Sequence, residues 1–318
     1  MEMKTIIITG ANSGLGFKTA QKSAKASAEF RIILACRNME KAEDARRKIK
    51  EELDGEADGR VVCMELDTAS LSSVRTFAAE YAKRDFGPIY ALVCNAGISG
   101  SHTGLTADGY DVIFETNHLG HFLLTKLLLP SMASGGRIFA TSSDMHDPFN
   151  AKLCWRGADA LAHPDEKLSK SPNRYAYSKL CSLYFIYELA RRAKEKGLSI
   201  FANAFNPGLM KTNFMPLNKA AMESVKLLMP KRFGDLEKSS DAYAKLITDA
   251  SLITASGQYF DRSTRAVPSS DLSYSRENAA ELWEYSEMCC RLSESGGNPG
   301  NPAHQDAHKE EPHGSGRP

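Results

Sequence analysis

The sequence predicts an α/β fold, a doubly wound and mostly parallel seven-stranded sheet with helices on both faces. Seven short apolar runs rich in β-branched residues recur along the chain, and amphipathic stretches separate them. Strands that are apolar on both faces and alternate with helices are what a parallel sheet covered on both sides requires. The composition agrees: 42% hydrophobic and 25% charged residues over 318 positions are ordinary globular values, which excludes collagen-like, low-complexity and wholly disordered classes.

The first strand, Thr5–Thr9, is entirely β-branched and runs into a glycine-rich turn. A helix follows over Gly14–Ser27. The next pairs are strand Arg31–Cys36 with helix Met39–Leu53, and strand Val61–Leu66 with helix Leu71–Tyr81. Then come strand Tyr90–Cys94 with helix Phe114–Met132, strand Arg137–Thr141 with helix Arg174–Lys196, and strands Ile200–Phe205 and Gln258–Phe260. Each helix carries apolar residues at helical spacing and charges on its other face. Two segments break the alternation. The polar insertion 144–173 lies at a strand's carboxyl end, where long connections are often functional. Segment 209–236 holds Met210, Phe214, Met215, Met222 and Met229 and suits a lid over an apolar pocket, or an ordinary core-facing helix. Residues 1–292 thus form one domain, and the Gly-, Pro- and His-rich tail 293–318 lacks the apolar surface to fold.

Forty Lys and Arg against 39 Asp and Glu leave a net charge of +1, so no basic field argues for nucleic acid. The seven cysteines are odd in number, scattered, and read as reduced thiols. The first strand starts too early for a signal peptide, and the longest apolar stretch, Phe122 to Leu129, is too short to span a bilayer. A cytoplasmic protein is expected. His118 and His121 have an HxxH spacing, but no third ligand cluster joins them and no metal site is assigned.

In such a sheet the ligand crevice lies outside the carboxyl ends of the strands. There the turn Gly10-Ala11-Asn12-Ser13-Gly14-Leu15-Gly16 leads from strand to helix. Residues without a Cβ let backbone amides approach a pyrophosphate, and the helix beyond presents its positive dipole end. The acidic residue that would bind a ribose 2′-hydroxyl is expected about 20 residues on; Cys36 stands there, followed by Arg37. With no carboxylate to repel a 2′-phosphate and a guanidinium shaped to grip one, NADP(H) is favoured over NAD(H). At later strand ends, Asp67 could accept from the adenine amino group, and Asn95-Ala96-Gly97 could pass beneath the ribose.

Tyr175 has a lysine, Lys179, four residues later on one helix face, and that helix follows a strand ending in Ser142-Ser143. A phenol is a poor base at neutral pH, and an adjacent ammonium would stabilise its phenolate. A serine hydroxyl and the phenol together can polarise a carbonyl oxygen that accepts hydride. Ser143 is the candidate, with Ser142 as rival because adjacent strand residues face opposite ways. Asn117 could hold a water near Lys179 for proton relay.

Taken together, Thr9-Gly10-x-x-x-Gly14-x-Gly16, Asp67, Asn95-Ala96-Gly97, Asn117, Ser143, Tyr175-x-x-x-Lys179 and Pro207-Gly208-x-x-x-Thr212 resemble the short-chain dehydrogenase/reductase family in type and order. The resemblance implies a Rossmann-type fold and a catalytic tetrad. In it Asn117 orders a water, Ser143 orients substrate, Tyr175 exchanges the proton, and Lys179 binds the nicotinamide ribose while lowering the tyrosine pKa. It also implies that Pro207, Gly208 and Thr212 contact the nicotinamide end, and that copies pair through the helices holding Asn117 and Tyr175. Leu34-Ala-Cys-Arg37-Asn38, Asn117-His-Leu-Gly-His-Phe-Leu-Leu124 and Leu282-Trp-Glu-Tyr-Ser286 look like the retinol dehydrogenase subgroup, and Ser178-Lys-Leu-Cys181 resembles light-dependent protochlorophyllide reductase. The expected function is therefore NADPH-dependent interconversion of a carbonyl and an alcohol on a hydrophobic small molecule. Reduction of a carbon–carbon double bond is the alternative within the enzyme class, and a non-catalytic nucleotide-binding module the alternative outside it.

Overall fold

The computed structural model describes residues 3–54, 59–100, 102–148, 151–209, 232 and 234–292. Seven strands build one sheet: β1 (Lys4–Thr9), β2 (Phe30–Cys36), β3 (Val61–Glu65), β4 (Ile89–Cys94), β5 (Met132–Thr141), β6 (Ile200–Phe205) and β7 (Tyr259–Phe260). Their order is β3-β2-β1-β4-β5-β6-β7, and every neighbouring pair is parallel. The order reverses between β1 and β4, so the crevice expected of a doubly wound sheet opens above those two strands.

Alternation along the strands explains why helices cover both faces. In β1, Ile7 joins one core cluster with Ile33, Leu92 and Ile138, while Ile6 and Ile8 join the other with Ile32, Leu34 and Phe139. The helices begin where capping chemistry allows: Asn38 accepts from Lys41 N at 2.8 Å to start Met39–Glu52, and Ser70 accepts from Ser73 N at 3.3 Å to start Leu71–Ala82.

The helix expected over Phe114–Met132 is instead segmented. It starts as Val112–Phe114, widens into a π-helical stretch Glu115–Leu119, and continues as Gly120–Leu128. A short 3-10 turn then leads into β5, which begins at Met132, five residues before the expected strand. A Cβ on Gly120 would lie 2.1 Å from the Thr68 carbonyl oxygen, so the helix presses directly on the loop after β3.

The insertion 144–173 carries the short helices Ala158–Ala162 and Glu166–Ser169 and is buried at Leu153, Ala158 and Leu161. It is bracketed by Glu281 of the last described helix, Arg276–Cys289, which accepts from Trp155 Nε1 at 2.5 Å and Ala158 N at 3.0 Å. That same helix lies over the helices holding Asn117 and Tyr175. Trp283 packs on Phe122 and Phe185 with ring centroids 4.9 and 6.2 Å away, and Glu287 pairs with Lys126 at 2.7 Å. The part of their surface under Trp283, which the resemblance would leave for a second copy, is covered within the chain. Cys289 and Cys290 are core residues, Cys154 is exposed, and all seven cysteines are free. Among the described residues no helix is long and apolar enough to cross a membrane. Most of the expected lid 209–236, and the tail 293–318, lie outside the described residues.

Candidate active site

The turn after β1 is stitched to the end of β4. The buried Thr9 hydroxyl oxygen accepts from Asn95 N at 2.9 Å and Ala96 N at 2.8 Å, while Asn95 Nδ2 donates to the Thr9 carbonyl at 2.9 Å. This close approach is what demands glycine. Gly10 has φ +65° and its Cβ would stand 3.0 Å from Ala96 Cα; a Cβ on Gly16 would lie 2.5 Å from the Gly10 oxygen. Leu15 points into the core and anchors the turn. Asn12 is half-buried, and its backbone and that of Ala11 contact the Cys36 thiol, which burial pushes up to about 11. Ser13 is exposed at the N-cap of helix Gly14–Ala26, its hydroxyl makes no capping bond, and the first turn carries no acidic residue. A cradle of backbone amides with no Cβ in the way and no competing carboxylate fits the pyrophosphate of a dinucleotide.

At the end of β2, the Arg37 side chain is 74% exposed, with Nη1 3.8 Å from Asp67 Oδ2. A contact that long at the surface holds the guanidinium weakly. Asp67 itself is tied to its own loop, accepting from Ala69 N at 3.0 Å.

Across the crevice, β5 delivers the two serines in opposite directions. Ser142 is 1% exposed, and its hydroxyl donates to the Lys179 carbonyl at 3.2 Å. Ser143 is half-buried and its hydroxyl bonds the Tyr175 phenol. Ser143, not Ser142, is therefore the serine at the tyrosine. One turn along helix Arg174–Glu195, Lys179 Nζ sits 5.4 Å from the Tyr175 ring centroid and donates to the Thr141 carbonyl at 2.8 Å. Burial draws the lysine down to about 8 and pushes the phenol above its ordinary value, against a smaller opposing pull from Ser143. The phenol is raised overall because its desolvation outweighs the Ser143 hydrogen bond. A protonated phenol results.

The Asn117 amide is held by partners within the protein. Oδ1 accepts from Ile98 N at 2.8 Å, and Nδ2 donates to the Ile98 carbonyl at 3.0 Å and to Ser178 Oγ at 2.9 Å. Both amide protons are committed to fixing the loop after β4 against the helix Arg174–Glu195. Gly97 lies between the groups: its Cβ would be 3.1 Å from Asn117 Oδ1 and 3.9 Å from Lys179 Nζ.

After β6, Gly208 adopts φ +75° and donates to Asn206 Oδ1 at 2.9 Å, and the Pro207 carbonyl accepts from Ser239 Oγ at 2.8 Å. Thr212 lies outside the described residues. Three supports escaped the sequence reading. Asn206 Nδ2 donates to Asp144 Oδ1 at 2.7 Å, joining the β6 exit to the Ser143 loop. His146 Nε2 accepts from Ser270 N at 3.0 Å, so its Nδ1 carries the proton donated to the Ser143 carbonyl at 2.7 Å. Arg174, next to Tyr175, forms a buried ion pair with Asp111, which caps the segment before Asn117. Only Asp111 had a local signal, as an acidic residue before an apolar helical run. His118 and His121 take separate partners, Ser286 Oγ at 2.8 Å and Thr9 Oγ1 at 2.9 Å.

A model of the short chain dehydrogenase family matches residues 4–152. The chain is 36% identical over 291 residues to the WW domain-containing oxidoreductase of Gallus gallus, covering 91% of this chain and 68% of that protein. It is 37% identical over 226 residues to retinol dehydrogenase 14 of Mus musculus, covering 67% and 63% respectively. The crystal structure of an uncharacterised Mycobacterium paratuberculosis protein superposes with a TM-score of 0.65 at 30% identity, covering 91% of this chain and 93% of that one. An all-parallel sheet in this strand order, its glycine turn, and a relative 36% identical over 91% of this chain establish that the chain belongs to the short-chain dehydrogenase/reductase family.

Proposed function

We propose that the protein is an NADP(H)-dependent oxidoreductase that interconverts a carbonyl and an alcohol on a hydrophobic small molecule, acting in the cytoplasm. The observation that carries this reading is the hydroxyl pair of Ser143 and Tyr175 beside a buried lysine, at the end of the sheet that holds the glycine turn. The similarity to retinol dehydrogenase 14 supports an apolar alcohol or carbonyl as substrate. The cofactor preference rests on Arg37, exposed at the end of β2 where a carboxylate would oppose a 2′-phosphate.

NADP(H), when bound, supplies or accepts the hydride. Gly10, Gly14 and Gly16 admit its pyrophosphate to the backbone amides, and the Asn95–Gly97 loop, held by Thr9 and Asn117, shapes the floor beneath the ribose. Ser143 and Tyr175 direct two hydroxyl protons at the substrate oxygen, where charge grows as a carbonyl becomes an alkoxide. Tyr175 then gives its proton to that oxygen. Its raised pKa keeps the proton in place until the stronger base forms. Lys179 holds a charge close to the phenol up to about pH 8 and stabilises the phenolate left behind. Trp283 and its helix cover part of the Asn117 and Tyr175 helices, so a homodimer would pair through the surface those helices leave uncovered.

Purified protein with NADPH and a panel of apolar aldehydes and ketones is expected to consume the reduced cofactor. Tyr175→Phe should lower the rate by roughly 10²- to 10⁴-fold while still binding NADPH. Undiminished turnover in that variant would remove Tyr175 from the reaction.

A further inference from the structure

His121 lies one helical turn beyond Asn117, is 3% exposed, and takes part in no step described above. Its ring bridges two parts of the site. Nε2 is 2.9 Å from Thr9 Oγ1, and Nδ1 is 3.3 Å from the Asn117 carbonyl oxygen. The Thr9 hydroxyl decides which nitrogen carries the proton. A hydroxyl has two acceptor lone pairs and one proton. Both lone pairs are filled by the N–H groups of Asn95 and Ala96, at 2.9 and 2.8 Å. The oxygen can only donate toward the ring, and at 2.9 Å the imidazole is a nearer acceptor than the Val93 carbonyl at 3.3 Å. Nε2 is therefore bare, and Nδ1–H points at the Asn117 carbonyl. A second proton on Nε2 would face an oxygen with no lone pair left. Burial, and to a lesser degree the nearby Lys179 charge, hold the ring neutral down to about pH 4.

We propose that His121, as a neutral Nδ1–H imidazole, is a positioning residue that couples the cofactor-binding turn, through Thr9, to the main chain of Asn117. Movement of the Asn95-Ala96 loop against a dinucleotide is thereby transmitted to the residue that fixes Ile98 and Ser178, and Ser178 in turn donates to the Tyr175 carbonyl at 2.8 Å. The inference rests on the functional reading above.

Two substitutions separate the two ends of the bridge. His121→Asn puts an amide N–H where Nδ1 was and removes the acceptor facing Thr9. His121→Gln puts a carbonyl where Nε2 was and removes the donor facing Asn117. With one buried hydrogen bond removed in each case, an effect of roughly tenfold is expected. For His121→Asn the loss should fall on the NADPH dissociation constant; for His121→Gln it should fall on kcat. Identical patterns in the two variants, or no change in either, would overturn the coupling. The parent protein supplies a readout independent of turnover and of variant folding: long-range proton–nitrogen NMR of histidine-labelled chain, assigned through the backbone, should report the Nδ1–H tautomer at neutral pH. An Nε2–H tautomer defeats the proposal outright. If the parent neither binds NADPH nor turns over, the functional reading fails, while the tautomer still decides the geometry of the bridge.

Discussion

Glu115, two residues before Asn117 in the π-helical stretch, is wholly buried, and only one of its carboxyl oxygens has a hydrogen-bond partner, the Thr106 hydroxyl. Burial pushes its carboxyl from 4.5 up to about 8, with the Asp108 carboxylate adding to the rise. An acid whose pKa is raised by folding is protonated in the native state where the unfolded chain is ionised. Stability is therefore lost as pH climbs from 4.5 to about 8. At about 1.4 kcal/mol per pH unit, this group removes about 3 kcal/mol by pH 7 and roughly 4 kcal/mol by pH 8, relative to acid solution. Glu115→Gln supplies a neutral side chain of the same shape that keeps an acceptor for Thr106 and offers an amide to Asp108. Urea unfolding of both proteins between about pH 5 and pH 8 should show the variant gaining on the parent by nearly 1.4 kcal/mol per unit over the middle of that range. A stability difference that stays constant with pH would mean that Glu115 is ionised in the fold, and would refute the argument from burial.

Other substitutions probe the remaining parts of the site. Arg37→Ala should weaken NADPH binding by about tenfold or more and NADH binding little, measured by titration with each cofactor; equal losses would show that no 2′-phosphate contact exists there. Gly16→Ala forces a methyl to within 2.5 Å of the Gly10 oxygen and should abolish cofactor binding in calorimetry while leaving far-ultraviolet circular dichroism intact. Asp111→Ala strips the partner from the buried Arg174 guanidinium and the cap from the segment before Asn117, so a loss of about 3–5 kcal/mol is expected in denaturant unfolding. A loss below about 1 kcal/mol would show that the pair is solvated.

Much of the molecule was readable from local pattern. The isoleucine run of β1 needs apolar surroundings on both sides, and the structure buries Ile6, Ile7 and Ile8 between two helical layers. The glycine at position 10 announces a backbone that only glycine adopts easily, and the chain has φ +65° there. Tyr175 and Lys179 share a helix face because residues four apart always do.

What pattern could not decide depended on partners distant in sequence. Whether Ser142 or Ser143 meets the phenol turns on how one strand end rotates against a helix more than 30 residues later. Which groups Asn117 meets is not written in its neighbours: Ile98 and Ser178 take both amide protons. The helices expected to pair two copies carry Trp283, from the last described helix, over part of their surface. Backbone conformation and side-chain periodicity are properties of a few adjacent residues, so the amino-acid order alone settled the sheet, the turn and the tyrosine–lysine spacing. Hydrogen-bond partners, desolvation and the choice of tautomer arise only when remote segments close on one another, and the tertiary structure alone assigned those.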